Sequence, residues 1–316
     1  METASVLIRL LPQQLVNGIT IGAVYALIAL GYTMVYGVLQ LINFAHGDLF
    51  MLGAMIAVFL LAAMAFSSPL PLGLVLLALV VVCVTSMAIV AGLGVVIERV
   101  AYKPLRTAGR LSPLISALGV SVFLENATMN VVGPAPRFFP DILPTTEIPF
   151  FGIMIQDRQL LILVVATGLM VWLHYLVNHT VFGLAVRATA EDKDAASLMG
   201  VDVDRVIAMV FVIGPALGAA AGMLFAMLYG VVLWNMGFLA GMKAFTAAVL
   251  GGIGNIPGAV LGGLMLGLVE TFGAGYLPII TGGLIGPEYK DIFAFCILIL
   301  VLVFRPMGIL GERVAR

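Results

Sequence analysis

Eight stretches of this chain are apolar enough to cross a bilayer, and nothing else in it limits the fold so tightly. They are Gln14–Tyr36, Phe44–Phe66, Pro71–Ile97, Leu111–Val132, Leu160–Val177, Val206–Val232, Pro257–Leu277 and Asp291–Phe304, the last running on to Leu310. A hydrocarbon core about 30 Å thick takes roughly 20 residues of helix. Backbone groups inside it must be satisfied within the segment or in a closed barrel, and runs of this length are read as helices. A further run, Phe238–Ile253, is shorter and glycine-rich. The expected fold is therefore an all-α integral membrane bundle of about eight or nine transmembrane helices, some interrupted or re-entrant.

Charged residues are only 10% of the 316, against roughly 25% in soluble domains. The 36 glycines point to closely packed helices rather than a single anchor. Cys83 and Cys296 both lie in apolar runs and read as small hydrophobes rather than a disulfide. A formal net charge of −1 suggests no nucleic-acid partner. The first 14 residues carry Glu2 and Arg9 without a basic region and small-residue cleavage site, so no removable signal peptide is expected.

Lysines and arginines in short loops set orientation. Glu98–Arg110 holds Arg99, Lys103, Arg106 and Arg110 against one acid, and the tail after Phe304 holds Arg305, Arg313 and Arg316. Both are expected in the cytoplasm. Gly133–Asp157, with Pro134, Pro136, Pro140, Pro144 and Pro149, is expected outside. Counting spans then places Gly183–Val203 in the cytoplasm and the N-terminus outside. A cytoplasmic tail requires Phe238–Ile253 to cross, giving nine crossings.

Ile42–Ala57 and Met236–Gly252 echo each other. Each follows a full span, opens with an aromatic–small–polar break and continues as a helix bearing glycine and alanine. Interrupted helices in corresponding positions point to a translocation path, because their freed backbone groups must line a cavity. In the first, Asn43, Phe44, His46 and Asp48 form the most polar cluster in any apolar stretch. Asn43 or Asp48 could cap free N–H groups beside the path, or the cluster could be a wet interfacial loop. His46 and Asp48 lack a nearby third ligand, so no metal site is expected. Glu125 and Glu270 are the acids most deeply set in apolar surroundings; each could serve a substrate, a proton or a helix–helix hydrogen bond. Gly254, Gly258 and Gly262, then Gly263 and Gly267, repeat at four-residue spacing, a ridge that lets another helix approach to backbone contact.

Gly183–Val203 is a charged island, with Arg187, Glu191, Asp192, Lys193, Asp194 and Asp202. Between its charges Ala195, Leu198 and Met199 stand at i, i+3 and i+4, one apolar stripe on a short helix, and Gly200 suits a helix end. This reads either as a docking knob for a soluble partner or as a solvated loop. None of the four lysines sits in a phosphate-binding loop, and the sequence lacks G-x-S-x-G, H-E-x-x-H and C-x-x-C. Nothing suggests an enzyme. A proton-driven carrier using Glu125, Glu270 or His46 is the rival reading.

Asp194-Ala195-Ala196-x-x-x-Gly200 resembles the EAA-x-x-x-G loop of ABC importer permeases, with Asp for Glu. The usual Ile-x-Leu-Pro continuation is absent, and Val210 and Pro215 stand in that region, a departure that suits the branched-chain amino acid permeases. The chain is similar to that group along nearly its whole length, through Asn17-Gly18 to Tyr36-Gly37, Ile42–Gly47, Arg187–Gly200, Ala248–Gly263 and Phe304-Arg305-Pro306-x-Gly308. The Ile-Asn-Phe-Ala-His-Gly string resembles the shorter, H-type subunit. Urea and short-amide permeases share much of the pattern. The resemblance implies a single permease domain over residues 1–316, lodged in the bacterial inner membrane and surrounded by lipid. It implies a heterodimer with a related M-type permease, two cytoplasmic ATPases that carry ATP and Mg, and an extracytoplasmic substrate-binding protein. The substrate would be leucine, isoleucine, valine or another neutral amino acid. On this reading Arg187, Glu191, Asp192 and Asp194 set docking electrostatics while Ala195, Ala196, Leu198, Met199 and Gly200 shape the coupling helix. Asn43–Asp48 and Phe238–Gly252, with Phe245 and Thr246, would line the path.

Overall fold

The computed structural model describes residues 2–64, 71–106, 108–109, 111–142, 147–150, 153–305 and 307–311. Phe66, Arg110, Pro144, Pro306, Arg313 and Arg316, named above, lie outside the described residues. The helices are α1 (Glu2–Leu39), α2 (His46–Ala63), α3 (Leu72–Ile97), α4 (Leu111–Val132), α5 (Asp157–His179), α6 (Val181–Glu191), α7 (Lys193–Leu198), α8 (Val203–Tyr229), α9 (Met236–Gly251), α10 (Ile256–Ile280) and α11 (Lys290–Phe304). Seven helices among the described residues are long and apolar enough to span a membrane. Two further apolar helices are shorter, α9 with 16 residues and α11 with 15. At 1.5 Å per residue these reach only about 24 and 22 Å, so each falls short of a bilayer core by itself.

Two ends of the bundle can be told apart by their contacts. At one end Lys103 and Arg106 both pair with Asp204 at the start of α8, at 2.8 and 2.6 Å. The expected positive loop and the Gly183–Val203 island therefore share this loop face. The tail joins them: Ile309 and Leu310 donate backbone N–H groups to Leu250 and Gly251 at the end of α9. At the opposite end, β1 (Arg137–Phe138) pairs with β4 (Val231–Val232), and β2 (Glu147–Phe150) with β3 (Ile153–Gln156). On this hairpin face, β1, β2 and β3 all fall in Gly133–Asp157, the proline-bearing stretch expected outside.

α1 and α8 form the buried centre. Antiparallel to α1 lies α10: the backbones at Gly18, Gly22 and Ala26 face Leu268, Leu264 and Gly263 in turn. α8 lies against α2 and α3, where Gly222 meets Phe50 and Gly94 meets Phe211 and Pro215. α3, α4 and α5 are peripheral, with large apolar side chains such as Val84, Phe123 and Val171 exposed, as helices facing lipid require. Cys83 and Cys296 are both free.

Glycine decides how closely the central helices approach. A Cβ on Gly263 would lie 2.5 Å from the Ala26 backbone, so Gly263→Leu should cost at least about 1–3 kcal/mol by overpacking. Gly92, whose Cβ would meet nothing within 4 Å, is the control; Gly92→Leu should stay within about 0.5 kcal/mol of the native protein. Thermal unfolding of the purified chains in detergent checks both.

Candidate translocation path and docking surface

α1 ends at Leu39, and Gln40 takes a left-handed φ of 58°, a conformation that costs a side-chain-bearing residue roughly 1–2 kcal/mol. The chain then turns back into the bundle. α2 starts at His46, packed against Gly31 of α1 and Gly218 of α8. Gly218 lies fifteen residues into α8, about 22 Å along it. α9 starts at a similar interruption after β4. The two N-termini meet: a methyl on Gly47 would lie 2.2 Å from the Gly237 carbonyl, and one on Gly237 2.8 Å from the Gly47 carbonyl. This reciprocal contact joins the two segments whose sequences echo each other.

Neither N-terminus is capped by its own side chains. The expected capping by Asn43 or Asp48 is not made: the N-cap position of α2 is Ala45, which supplies no side-chain cap, and Asp48 stands inside the first turn. Asn43 accepts a hydrogen bond from the Tyr102 hydroxyl at 2.9 Å. Asp48, wholly buried, faces Ser121 and Glu125 of α4 and sits against Gly237. Glu125 in turn faces the Phe238 backbone. The positive end of α9 is thus met by two acids from other helices, the favourable sign for a helix N-terminus. Both oxygens of Asp48, both ring nitrogens of His46 and Oε1 of Glu125 are buried without a hydrogen-bond partner among the described residues. His46 packs edge-on against Tyr32 at 4.7 Å, and the Phe245 ring lies 6.3 Å from that of Tyr32. Phe44 packs against the core from a half-buried position. Thr246 is buried and spends its hydroxyl on the Met242 carbonyl of its own helix.

Glu270 belongs to a different cluster. Its Oε1 is 2.8 Å from the Lys243 ammonium and 3.5 Å from Lys290, and its Oε2 accepts the Tyr25 hydroxyl at 2.8 Å. Lys243 also pairs with Asp291 at 2.5 Å. This network ties α1, α9, α10 and α11 together with two cations and two acids. Sequence reasoning missed Lys243, Tyr25 and Asp291. The available signal was Lys243 itself, a lysine inside an apolar run that demands an acid on another helix.

The glycine ridge divides. Gly258 and Gly262 pack on Gly251 and Ala247 of α9, while Gly263 and Gly267 pack on Ala26 and Gly22 of α1. Gly254 stands apart, at φ +96° with open space around it; it turns the chain between α9 and α10 and joins no ridge.

On the loop face, Thr180 caps α6 by accepting from the Gly183 N–H at 3.1 Å. Asp192 caps α7 by accepting from the N–H groups of Asp194 and Ala195 at 2.8 and 3.0 Å. Gly200 ends the motif at φ +88°, as a left-handed helix terminus prefers. Ala196 is buried against the protein, whereas Ala195 is exposed and Leu198 and Met199 are 89% and 86% exposed. Glu191 and Asp194 are exposed beside them. Arg187 is exposed, and its guanidinium also donates to the Val177 carbonyl at the end of α5. Lys193 is partly desolvated and lies near the Arg106 guanidinium; both push its ammonium below the ordinary lysine range.

The chain is thus a polytopic bundle with two opposed broken helices and an exposed, capped apolar knob. The sequence model describing the branched-chain amino acid transport system permease component matches residues 14–302. The chain belongs to this family. It is 49% identical to the high-affinity branched-chain amino acid transport system permease protein BraD of Pseudomonas aeruginosa, over 95% of each chain. It is 44% identical to the corresponding protein LivH of Escherichia coli K12, again over 95% of each. A probable LivH of Methanocaldococcus jannaschii is 28% identical over 90% of this chain and 88% of that one. This chain is a multi-pass membrane permease.

The Lys243–Glu270 pair generates a test. Lys243→Met leaves a buried carboxylate short of its main partner and should destabilise the chain by about 3–5 kcal/mol. Adding Glu270→Gln should restore part of that loss. Thermal unfolding of the two single variants and the double variant closes the cycle; strictly additive losses would mean that the side chains do not act as a pair.

Proposed function

We propose that this chain forms one half of the translocation path of an ABC importer for leucine, isoleucine, valine and related neutral amino acids. The other half is a related M-type permease. Two cytoplasmic ATPases, which hold ATP and Mg, dock on the loop face, and an extracytoplasmic binding protein delivers substrate to the hairpin face. The complex sits in the bacterial inner membrane. This chain supplies no catalytic group; ATP hydrolysis is the work of the separate subunits.

The observation that carries the reading is the exposed Ala195, Leu198 and Met199 patch on α7, seen in a chain so similar to named branched-chain permeases. Apolar side chains of this size, almost fully exposed on a helix held at both ends by capping, suit a groove on a soluble partner. Coupling then needs only rigid transmission. α6 and α7 both touch α8, and α8 packs on α2 at Gly222 and Phe50, so a push on α6 and α7 reaches α8 and, through it, α2. The path follows the opposed starts of α2 and α9, where Asn43–Asp48 and Phe238–Gly252 come together. Transport moves this junction between inward-open and outward-open arrangements.

Ala195→Arg combined with Leu198→Glu should release the ATPases from detergent-purified complex by at least about tenfold, or about 1.4 kcal/mol, without unfolding the permease. Quantitative blotting of the pull-down and ATP-dependent uptake of labelled leucine are the measurements. Full retention of ATPase with uptake intact would remove the docking assignment. Uptake that collapses with the proton gradient rather than with ATP would replace the importer by a secondary carrier.

A further inference from the structure

Beside the Lys243 network, toward the hairpin face, the bundle has an open cavity of about 390 Å³, within the size range of small-molecule sites. Its lining combines polar groups, among them Glu270, Thr271 and Lys290, with the apolar side chains of Ile21, Leu228 and Ala274, the last one turn beyond Glu270 on α10. Three features of the polar groups point to a ligand. Glu270 is 2% exposed and Thr271 7%, and the Thr271 hydroxyl has no hydrogen-bond partner among the described residues. Lys290 is the loosest member of the network. Its ammonium is 3.5 Å from a Glu270 oxygen that Lys243 already holds at 2.8 Å, and its side chain is one-third exposed.

We infer that this cavity binds the zwitterion of a neutral, aliphatic α-amino acid, inserted between Lys290 and Glu270. The ligand carboxylate takes the Lys290 ammonium, and the ligand ammonium takes Glu270 and the Thr271 hydroxyl. One long ion pair is exchanged for two shorter ones, and because the ligand adds one cation and one anion, the cluster stays as neutral as it is without ligand. A lone cation or anion would leave one charge uncompensated in a site of low dielectric, where that cost is high. The aliphatic side chain lies against Ile21, Leu228 and Ala274. The inference rests on the proposed transport function and places a substrate station in this chain on the hairpin-face side of the broken-helix junction.

The test is saturation-transfer NMR on the full-length chain, purified in detergent with the subunits it retains, using leucine, leucinamide and phosphoethanolamine at millimolar concentrations. Leucine should receive saturation through its methyl groups, and leucinamide, which lacks the carboxylate, should bind at least about tenfold more weakly. Lys290→Gln should abolish that preference, and Ala274→Phe, which fills the apolar part of the lining, should remove leucine binding. No transfer to leucine in the native protein would overturn the inference. So would unchanged binding in both variants at native melting temperature. Transfer to phosphoethanolamine equal to that of leucine would reassign the cavity to a lipid headgroup and likewise overturn it. If a variant fails to fold, the leucine–leucinamide comparison on the native chain still decides. ATP-dependent leucine uptake by the native complex judges the transport reading separately and does not depend on this cavity.

Discussion

The meeting of two helix N-termini inside the bundle is the contact on which the remaining architecture depends. α2 and α9 meet in their first turns at Gly47 and Gly237, backbone against backbone, and each presents the free N–H groups and positive end of its dipole to the same point. Two like partial charges brought together in a medium of low dielectric repel each other unless something of opposite sign is near. Asp48 and Glu125 supply it from α2 and α4. The glycines follow from the same geometry. Gly31 and Gly218 leave the space that His46 fills, and Gly241 lies against Gly47 and the Tyr32 hydroxyl. Any larger residue at Gly47 or Gly237 would push the two helices apart and strip the acids from the N-terminus they face.

A chain with so few charges cannot leave them scattered. Those in the bundle fall into clusters with distinct duties. Asp48 and Glu125 face a helix end. Lys243, Glu270 and Asp291 bind four helices across the bundle. Glu98, Arg106, Lys103 and Asp204 fasten the loop after α3 to the start of α8. Such ionic contacts contribute less to net stability than to specificity, because desolvation offsets much of their attraction. Here they select one way of stacking helices whose apolar surfaces would accept several.

The membrane class, the long spans, the paired interruptions and the α6–α7 island were all legible before any coordinates, because each is a local property of composition or period. Even the stripe Ala195, Leu198 and Met199 could be read from i, i+3, i+4 spacing, and it is exposed as that spacing suggests. Other features were hidden. Glu125 and Glu270 look alike in sequence, each an acid in an apolar run. One turns to the α9 N-terminus and the other to a lysine 27 residues away. Arg187 sits among exposed acids in sequence, and only the fold shows that its guanidinium ties α6 to a carbonyl ten residues back. Gly254 shares the spacing of a packing ridge but lies in a turn, since its positive φ places it outside any helix.

What the sequence determined by itself was what solvent chemistry enforces residue by residue: which segments must be helical in lipid, which loops carry charge and which small residues permit close approach. These follow from hydrocarbon excluding unsatisfied backbone and charge, a condition that acts on each segment alone. Only the tertiary structure decided which interrupted helix meets which, where Lys243 finds its acids, and that β1 and β4 join segments almost a hundred residues apart. Those choices depend on distances between segments remote in the chain. Apolar packing in lipid is too permissive to specify them; the few buried charges and glycine contacts do.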